Sequence, residues 1–215
     1  MPIWEDIISA EDLDAYSKSG WGLSGEWGEK PALLIVDMTK GFVEDRFPLG
    51  YSKTGFPAVA ETKRLLARCR SLKVPVFFTK GKPYNTAAEK GRWKTPDQPI
   101  KDVDEMHEIV PELKPSAGES IIEKRRPSAF FGTELITLLN YIGVNTLIVT
   151  GMVTSGCIRA TVIDAFSYNY MVIIPEECVA DRGQLSHKVN LFDMHMKYAD
   201  VVSLEKVLNY LESLH

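Results

Sequence analysis

A chain of 215 residues, 45% hydrophobic and 25% charged, has the composition of an ordinary soluble globular protein with one substantial core. Its formal net charge of −4 gives no reason to expect nucleic acid or an anionic membrane as a partner, and no apolar run approaches the length of a membrane span. Cys69, Cys157 and Cys178 are odd in number and lack C-x-x-C spacing, which argues against a disulfide framework and a cysteine-based zinc site.

Met1–Asp6 has neither a basic start nor an apolar signal core, so a cytoplasmic protein is expected. Residues 1–30 mix Trp, Gly, Ser and acids and read as an N-terminal arm. It contains a short helix near Ala10–Ser17, and 31–215 form a single domain. Pro31–Val36 is continuously apolar and ends in Asp37, the pattern of a strand buried on both faces. Glycines and Pro48 make the following loop, to Phe56, irregular, and helical spacing runs from Pro57 to Leu72. Lys73–Thr79 is a second strand. The polar, proline-rich stretch Lys80–Glu119 reads as an excursion over the active face. Glu119–Lys124 is a short strand ending in lysine, and Thr133–Ile142 is a helix with Gly143 placed to cap it. Thr146–Thr150 is a β-branched strand, and helical spacing runs from Cys157 to about Tyr170. Strand Met171–Pro175, helix Ser186–Lys197, strand Ala199–Ser203 and helix Leu204–Leu214 complete the chain. Strands alternating with helices predict an α/β fold: a doubly wound three-layer sandwich with a parallel, roughly six-stranded sheet. Ligands of such sheets bind at the strands' carboxyl ends.

That rule joins Asp37, Lys124 and Cys157, each of which ends or follows a different strand. In Thr150–Ala160 a strand feeds a glycine turn and a cysteine opens the next helix. There, unsatisfied N–H groups and the helix dipole favour thiolate and can hold an oxyanion. The competing reading is a small buried cysteine that only fills space. As a set, an acid, a cation and a thiol suit acyl transfer: Asp37 takes the thiol proton as general base, and Lys124 favours both anions by charge.

Several segments carry a family resemblance: Leu33–Phe42, Lys124–Thr133, Val149–Thr161, Pro175–Arg182 and Asn190–Asp193. Together they resemble the isochorismatase-like cysteine hydrolases, and among these the N-carbamoylsarcosine amidases and maleamate amidohydrolases, over about Pro31 to Leu211. The resemblance implies that Asp37, Lys124 and Cys157 are a catalytic triad. It implies a non-proline cis peptide between Met152 and Val153 that turns the Val153 and Cys157 N–H groups toward an oxyanion. It also implies a homotetramer, and Arg182 in the position that holds a substrate carboxylate. A guanidinium fork suits that task; the alternative for Arg182 is pairing with Asp181 or at the surface. Thr154 can donate a hydroxyl to the oxyanion, and Phe42, Trp93 and Phe130 are candidates to line the pocket. The loop Val43–Tyr51 lacks the histidine of the metal-binding nicotinamidases, so no metal and no other cofactor is expected. The expected activity is cofactor-free, cysteine-dependent hydrolysis of a small linear amide or ureido compound bearing a carboxylate. A non-catalytic scaffold of the same fold is the alternative. His187 and His195 follow Cys157 in papain-like order but fall within a helix, and are read as structural. Gly151-x-x-x-x-Gly156 lacks the Lys–Ser/Thr of a phosphate loop.

Overall fold

The structure is a computed structural model that describes residues 2–94 and 104–214. Helix α1 (Ala10–Lys18) belongs to the arm; Ser9 caps it by accepting from the Asp12 N–H at 3.1 Å. The domain then alternates strands and helices. First come β1 (Pro31–Val36), the single-turn α2 (Lys40–Val43), α3 (Ser52–Ser71), β2 (Val76–Gly81) and the short α4 (Ala87–Lys90). They are followed by β3 (Ser120–Lys124), α5 (Leu135–Tyr141), β4 (Thr146–Met152) and α6 (Arg159–Ser167). The chain closes with β5 (Met171–Pro175), β6 (Val179–Ala180), α7 (Gln184–Lys197), β7 (Asp200–Val202) and α8 (Leu204–Ser213). All strand pairings are parallel. The order is β3-β2-β1-β4-β5-β7, with β6 alongside β4. The seventh strand is the two-residue β6, which is too short to show as a pattern in the sequence.

The continuous apolar runs of β1 and β4 are explained by the layers on either side. Leu34 and Val36 face one core with Leu147, Val149, Leu135, Leu139, Val162 and Leu191. Leu33 and Ile35 face the other with Ile148, Leu65, Leu66, Val207 and Leu211. Alternate residues of one strand thus feed separate cores, so no position within Leu33–Val36 or Leu147–Val149 faces solvent.

Three segments differ from those read in the sequence. Helix α3 begins at Ser52, five residues before Pro57, and takes the proline inside its second turn. Gly55 permits this entry: a Cβ there would stand 3.3 Å from both Val43 Cα and Met152 Cε. After α3, Lys73 adopts φ +57. Its N–H donates to Arg70 C=O at 3.2 Å while Val74 N–H donates to Cys69 C=O at 2.9 Å, a Schellman turn that delays β2 to Val76. The stretch Lys80–Glu119 is more than an excursion, although residues 95–103, with Pro96 and Pro99, lie outside the described residues. Met106, Val110 and Leu113 are buried, and Lys40 N–H donates to Glu108 C=O at 2.9 Å.

The order of the strands locates the ligand crevice. Connections from β1 run one way to β2 and β3 and the other way to β4 and β5, so the topological switch lies between the carboxyl ends of β1 and β4. Replacing fully buried Leu34 with alanine removes packing from this central strand. Urea titration followed by circular dichroism is expected to show a loss of about 2–5 kcal/mol in unfolding free energy.

Candidate active site

Asp37 follows β1 at the switch point with φ +51, a left-handed conformation uncommon for a non-glycine residue. Its N–H donates to Thr79 C=O at 3.2 Å and lies 3.1 Å from Thr79 Oγ1. The Thr79 hydroxyl donates to Asp37 Oδ1 at 2.6 Å. The other carboxylate oxygen, Oδ2, faces Lys124 Nζ at 2.6 Å. Lys124 ends β3, two strands away, and its ammonium also donates to the Arg126 carbonyl at 3.1 Å and to Cys157 Sγ at 3.4 Å. Three residues from three strand ends therefore meet at one buried ammonium.

The cysteine does not open an α-helix, as the sequence suggested. It is the fourth residue of a π-turn, Thr154–Ile158, between β4 and α6. Ile158 and Gly156 N–H both donate to Val153 C=O, at 3.3 and 3.0 Å. The Met152–Val153 peptide bond is cis. The elbow depends on Gly151 at φ +122, where a Cβ would lie 1.9 Å from the Val36 carbonyl oxygen of β1. Asp181 clamps the turn: its Oδ2 accepts from Ser155 N–H at 2.8 Å and from Ser155 Oγ at 2.6 Å.

Electrostatically the resting cysteine is a thiol. Burial pushes it up to about 12; the Asp37 carboxylate adds to this, and Lys124 opposes it without prevailing. The expectation of a thiolate favoured by a helix N-terminus is therefore corrected, because desolvation and a neighbouring carboxylate outweigh the turn's N–H groups. Burial alone would lower Lys124, but Asp37 and Cys157 outweigh it and hold the ammonium above the ordinary lysine value.

The remaining candidates separate by position. Phe42 and Trp93 line a cavity of about 120 Å³ that also exposes Asp37, Lys124 and Cys157. Phe130 does not. Its ring packs 5.5 Å from Tyr168 and 6.1 Å from Tyr170 in the core of the α5–α6 layer, because Thr161 Oγ1 accepts from Ala129 N–H and turns the segment that way. Thr154 is fully buried, with Oγ1 2.8 Å from His187 Nδ1. Its hydroxyl is engaged by His187 and does not border the cavity, so the structure does not place it as an oxyanion donor. Arg182 is exposed and donates to the Leu49 carbonyl at the rim; Asp181 turns instead to Ser155. His187 and His195 are both held below the ordinary histidine value by burial. Neither lines the cavity, and His195 Nδ1 accepts from Val201 N–H at 3.2 Å. In the sequence Thr79 reads only as the end of a strand and Asp181 only as a partner for Arg182, which misses their contacts with Asp37 and with the turn at Ser155. Thr79, at a strand end beside that of Asp37, carried the one usable signal. Among the described residues no cluster of three His, Cys, Asp or Glu side chains could hold a metal, and no helix is long and apolar enough to cross a membrane. Two larger cavities, of about 230 and 340 Å³, lie at the opposite sheet rim and beneath the arm, away from Cys157.

Residues 31–206 match the model of the isochorismatase domain. Maleamate amidohydrolase of Pseudomonas putida is 36% identical over 199 residues, covering 90% of this chain and 92% of that protein. N-carbamoylsarcosine amidase of an Arthrobacter species is 32% identical over 207 residues, covering 93% of this chain and 78% of that protein. Among solved structures, the N-carbamoylsarcosine amidase of Thermoplasma acidophilum superposes with a TM-score of 0.68 at 28% identity. That match covers 82% of this chain and 97% of the other.

The raised thiol has a measurable consequence. Alkylation requires thiolate, so iodoacetamide labelling of Cys157 in the resting protein is expected to climb about tenfold per pH unit above pH 8 without levelling near 9. Mass spectrometry of the Cys157 peptide checks this. Asp37→Asn removes one cause of the rise and leaves Lys124 unpaired, so it is expected to speed labelling at pH 8.

Proposed function

The chain belongs to the isochorismatase family, and from that premise we propose that Cys157 is the nucleophile of an amidohydrolase acting on small linear amides or ureido compounds that carry a carboxylate. The chain is a hydrolase of non-peptide C–N bonds, in keeping with relatives named amidohydrolases. One observation carries the finer reading: the Lys124 ammonium touches both Asp37 and Cys157 in a cavity of small-molecule size.

In the proposed cycle Asp37 takes the Sγ proton as sulfur attacks the amide carbonyl, forming the C–S bond and an oxyanion. The N–H groups of Val153, which precedes the π-turn, and of Cys157 within it are the proposed donors to that oxyanion. Lys124 holds the carboxylate and the developing thiolate by charge. When the tetrahedral adduct collapses, the C–N bond breaks and Asp37 passes its proton to nitrogen, so ammonia leaves a thioester. Asp37 then takes a proton from water, which attacks the thioester. The C–S bond breaks, the carboxylic product departs and the thiol is restored. A thiol held as high as about 12 makes the base indispensable, because little thiolate exists before substrate arrives.

The test is ammonia release from maleamate, N-carbamoylsarcosine, ureidoacrylate, biuret and nicotinamide. Turnover is expected with one or more of the carboxylate-bearing compounds; silence on all of them would sink the reading. Cys157→Ala is expected to abolish turnover with the fold intact by circular dichroism. Thr79→Val frees Asp37 Oδ1 from its donor and is expected to lower kcat by about 10-fold or more, with KM nearly unchanged.

A further inference from the structure

We propose that Asp181 is a positioning residue that sets the separation between the anchor of the substrate's carboxylate and the attacking sulfur, and so selects acids by their length; the inference rests on the function proposed above. Strand β6 runs parallel beside the end of β4, with Gly151 opposite Val179 and Met152 opposite Ala180. The next residue, Asp181, therefore arrives beside the turn that carries Cys157. It is buried, and its carboxylate reaches in two directions. Oδ2 accepts from Ser155 N–H at 2.8 Å and from Ser155 Oγ at 2.6 Å, two residues before the cysteine. Oδ1 accepts from the N–H of Arg182 at 2.8 Å. One carboxylate thus joins the nucleophile's turn to the main chain of an arginine.

At the other end of this bridge, Arg182 rests its guanidinium on the carbonyl of Leu49, which lines the cavity around Cys157. Arg182 forms no ion pair among the described residues, so its charge is kept for an anion at the rim, and a guanidinium fork suits a carboxylate. A substrate held there presents its amide at a point fixed by its own length. The sulfur waits at a point fixed by the turn. Asp181 is hydrogen-bonded to both, and a misplacement of about 1 Å can cost roughly 100-fold in rate. The carboxylate is itself well founded: the Asp181 carbonyl accepts from Thr54 Oγ1 of α3 at 3.0 Å and from Gln184 Nε2 of α7 at 3.2 Å. The turn also has a second attachment, since Thr154 Oγ1 lies 2.8 Å from His187 Nδ1 of α7. An asparagine at 181 would keep the shape but break the bridge. If its oxygen accepts from Ser155, its NH2 group meets the N–H of Arg182, donor against donor.

The experiment compares Asp181→Asn, Ser155→Ala, Ser155→Thr and Arg182→Gln in the full chain, with two readouts. The first is steady-state hydrolysis of the half-amides of malonic, succinic and glutaric acid. The parent protein is expected to favour one length by roughly 10-fold or more in kcat. Asp181→Asn is expected to lower kcat for that length by roughly 10- to 100-fold with KM nearly unchanged, and to bring the lengths within about threefold of one another. Ser155→Ala loses only the hydroxyl donor and is expected to flatten the preference part-way, whereas Ser155→Thr keeps the donor and the preference. Arg182→Gln removes the anchor and is expected to raise KM for every acid and to erase the preference. The second readout needs no turnover. Cys157 is alkylated with the N-chloroacetyl derivatives of glycine, β-alanine and γ-aminobutyrate, in which sulfur displaces chloride from one electrophile carried at different distances from a carboxylate. Mass spectrometry is expected to show a length preference in the parent that Asp181→Asn removes. A parent without length preference, a uniform loss across lengths in Asp181→Asn, or a preference that survives Arg182→Gln would each overturn the proposal. Should Asp181→Asn fail to fold, a preference equal in Ser155→Ala and Ser155→Thr would overturn it. If the parent hydrolyses no amide while its alkylation keeps a length preference that depends on Asp181, the positioning role stands and the proposed function falls.

Discussion

The buried pair of Lys124 and Asp37 is the contact on which the remainder of the site depends. Two opposite charges taken out of water gain nothing unless each lone pair and proton finds a partner. Here all three N–H bonds of Lys124 are accounted for by Asp37, Cys157 and the Arg126 carbonyl, and Asp37 turns its second oxygen to Thr79. The partners come from four strand ends and the connections that leave them, so the pair draws the β3, β2, β1 and β4 termini into one register. Removing either partner would leave the other as an uncompensated buried charge, a larger disturbance than the loss of one surface ion pair.

Much of this was legible in the sequence because hydrophobic runs report how many sheet faces are covered. Leu33–Val36 and Leu147–Val149 are apolar without alternation because separate cores receive their alternate side chains. Once the strands were known to be parallel, the carboxyl-end rule was enough to place Asp37, Lys124 and Cys157 on one rim. Details governed by tertiary contact were not legible. Pro57 signals a helix start in most settings, yet α3 begins earlier because Gly55 lets that turn pack against Val43 and Met152. Phe130 lies six residues from Lys124 and looked equally suited to the pocket. A single hydrogen bond to Thr161 sends it into the opposite layer. The π-turn has no periodicity of its own, so Cys157 was read as the first residue of a helix when it is the fourth of a wider coil.

The charges around the cavity also follow from how its walls are built. Lys124, Arg125 and Arg126 are consecutive, so the chain leaving β3 delivers three cations to one place. Lys124 pairs with Asp37 and Arg125 with Glu89 of α4, while Arg126 meets two backbone carbonyls. A short basic run that would signify little on a surface becomes a graded electrostatic wall when a strand end buries its first member.

The turn that ends α3 occurs twice more. After α5, Gly143 stands at φ +72 with Val144 N–H on Leu139 C=O. After α6, Asn169 stands at φ +66 with Tyr170 N–H on Ala165 C=O. Lysine, glycine and asparagine thus perform one manoeuvre, each returning a helix to the amino end of β2, β4 or β5. The repeated bend confines structural punctuation to the floor of the molecule, and the opposite rim is left to irregular loops. A lineage of this architecture could redraw its ceiling for new substrates while the hinges beneath kept the strands aligned.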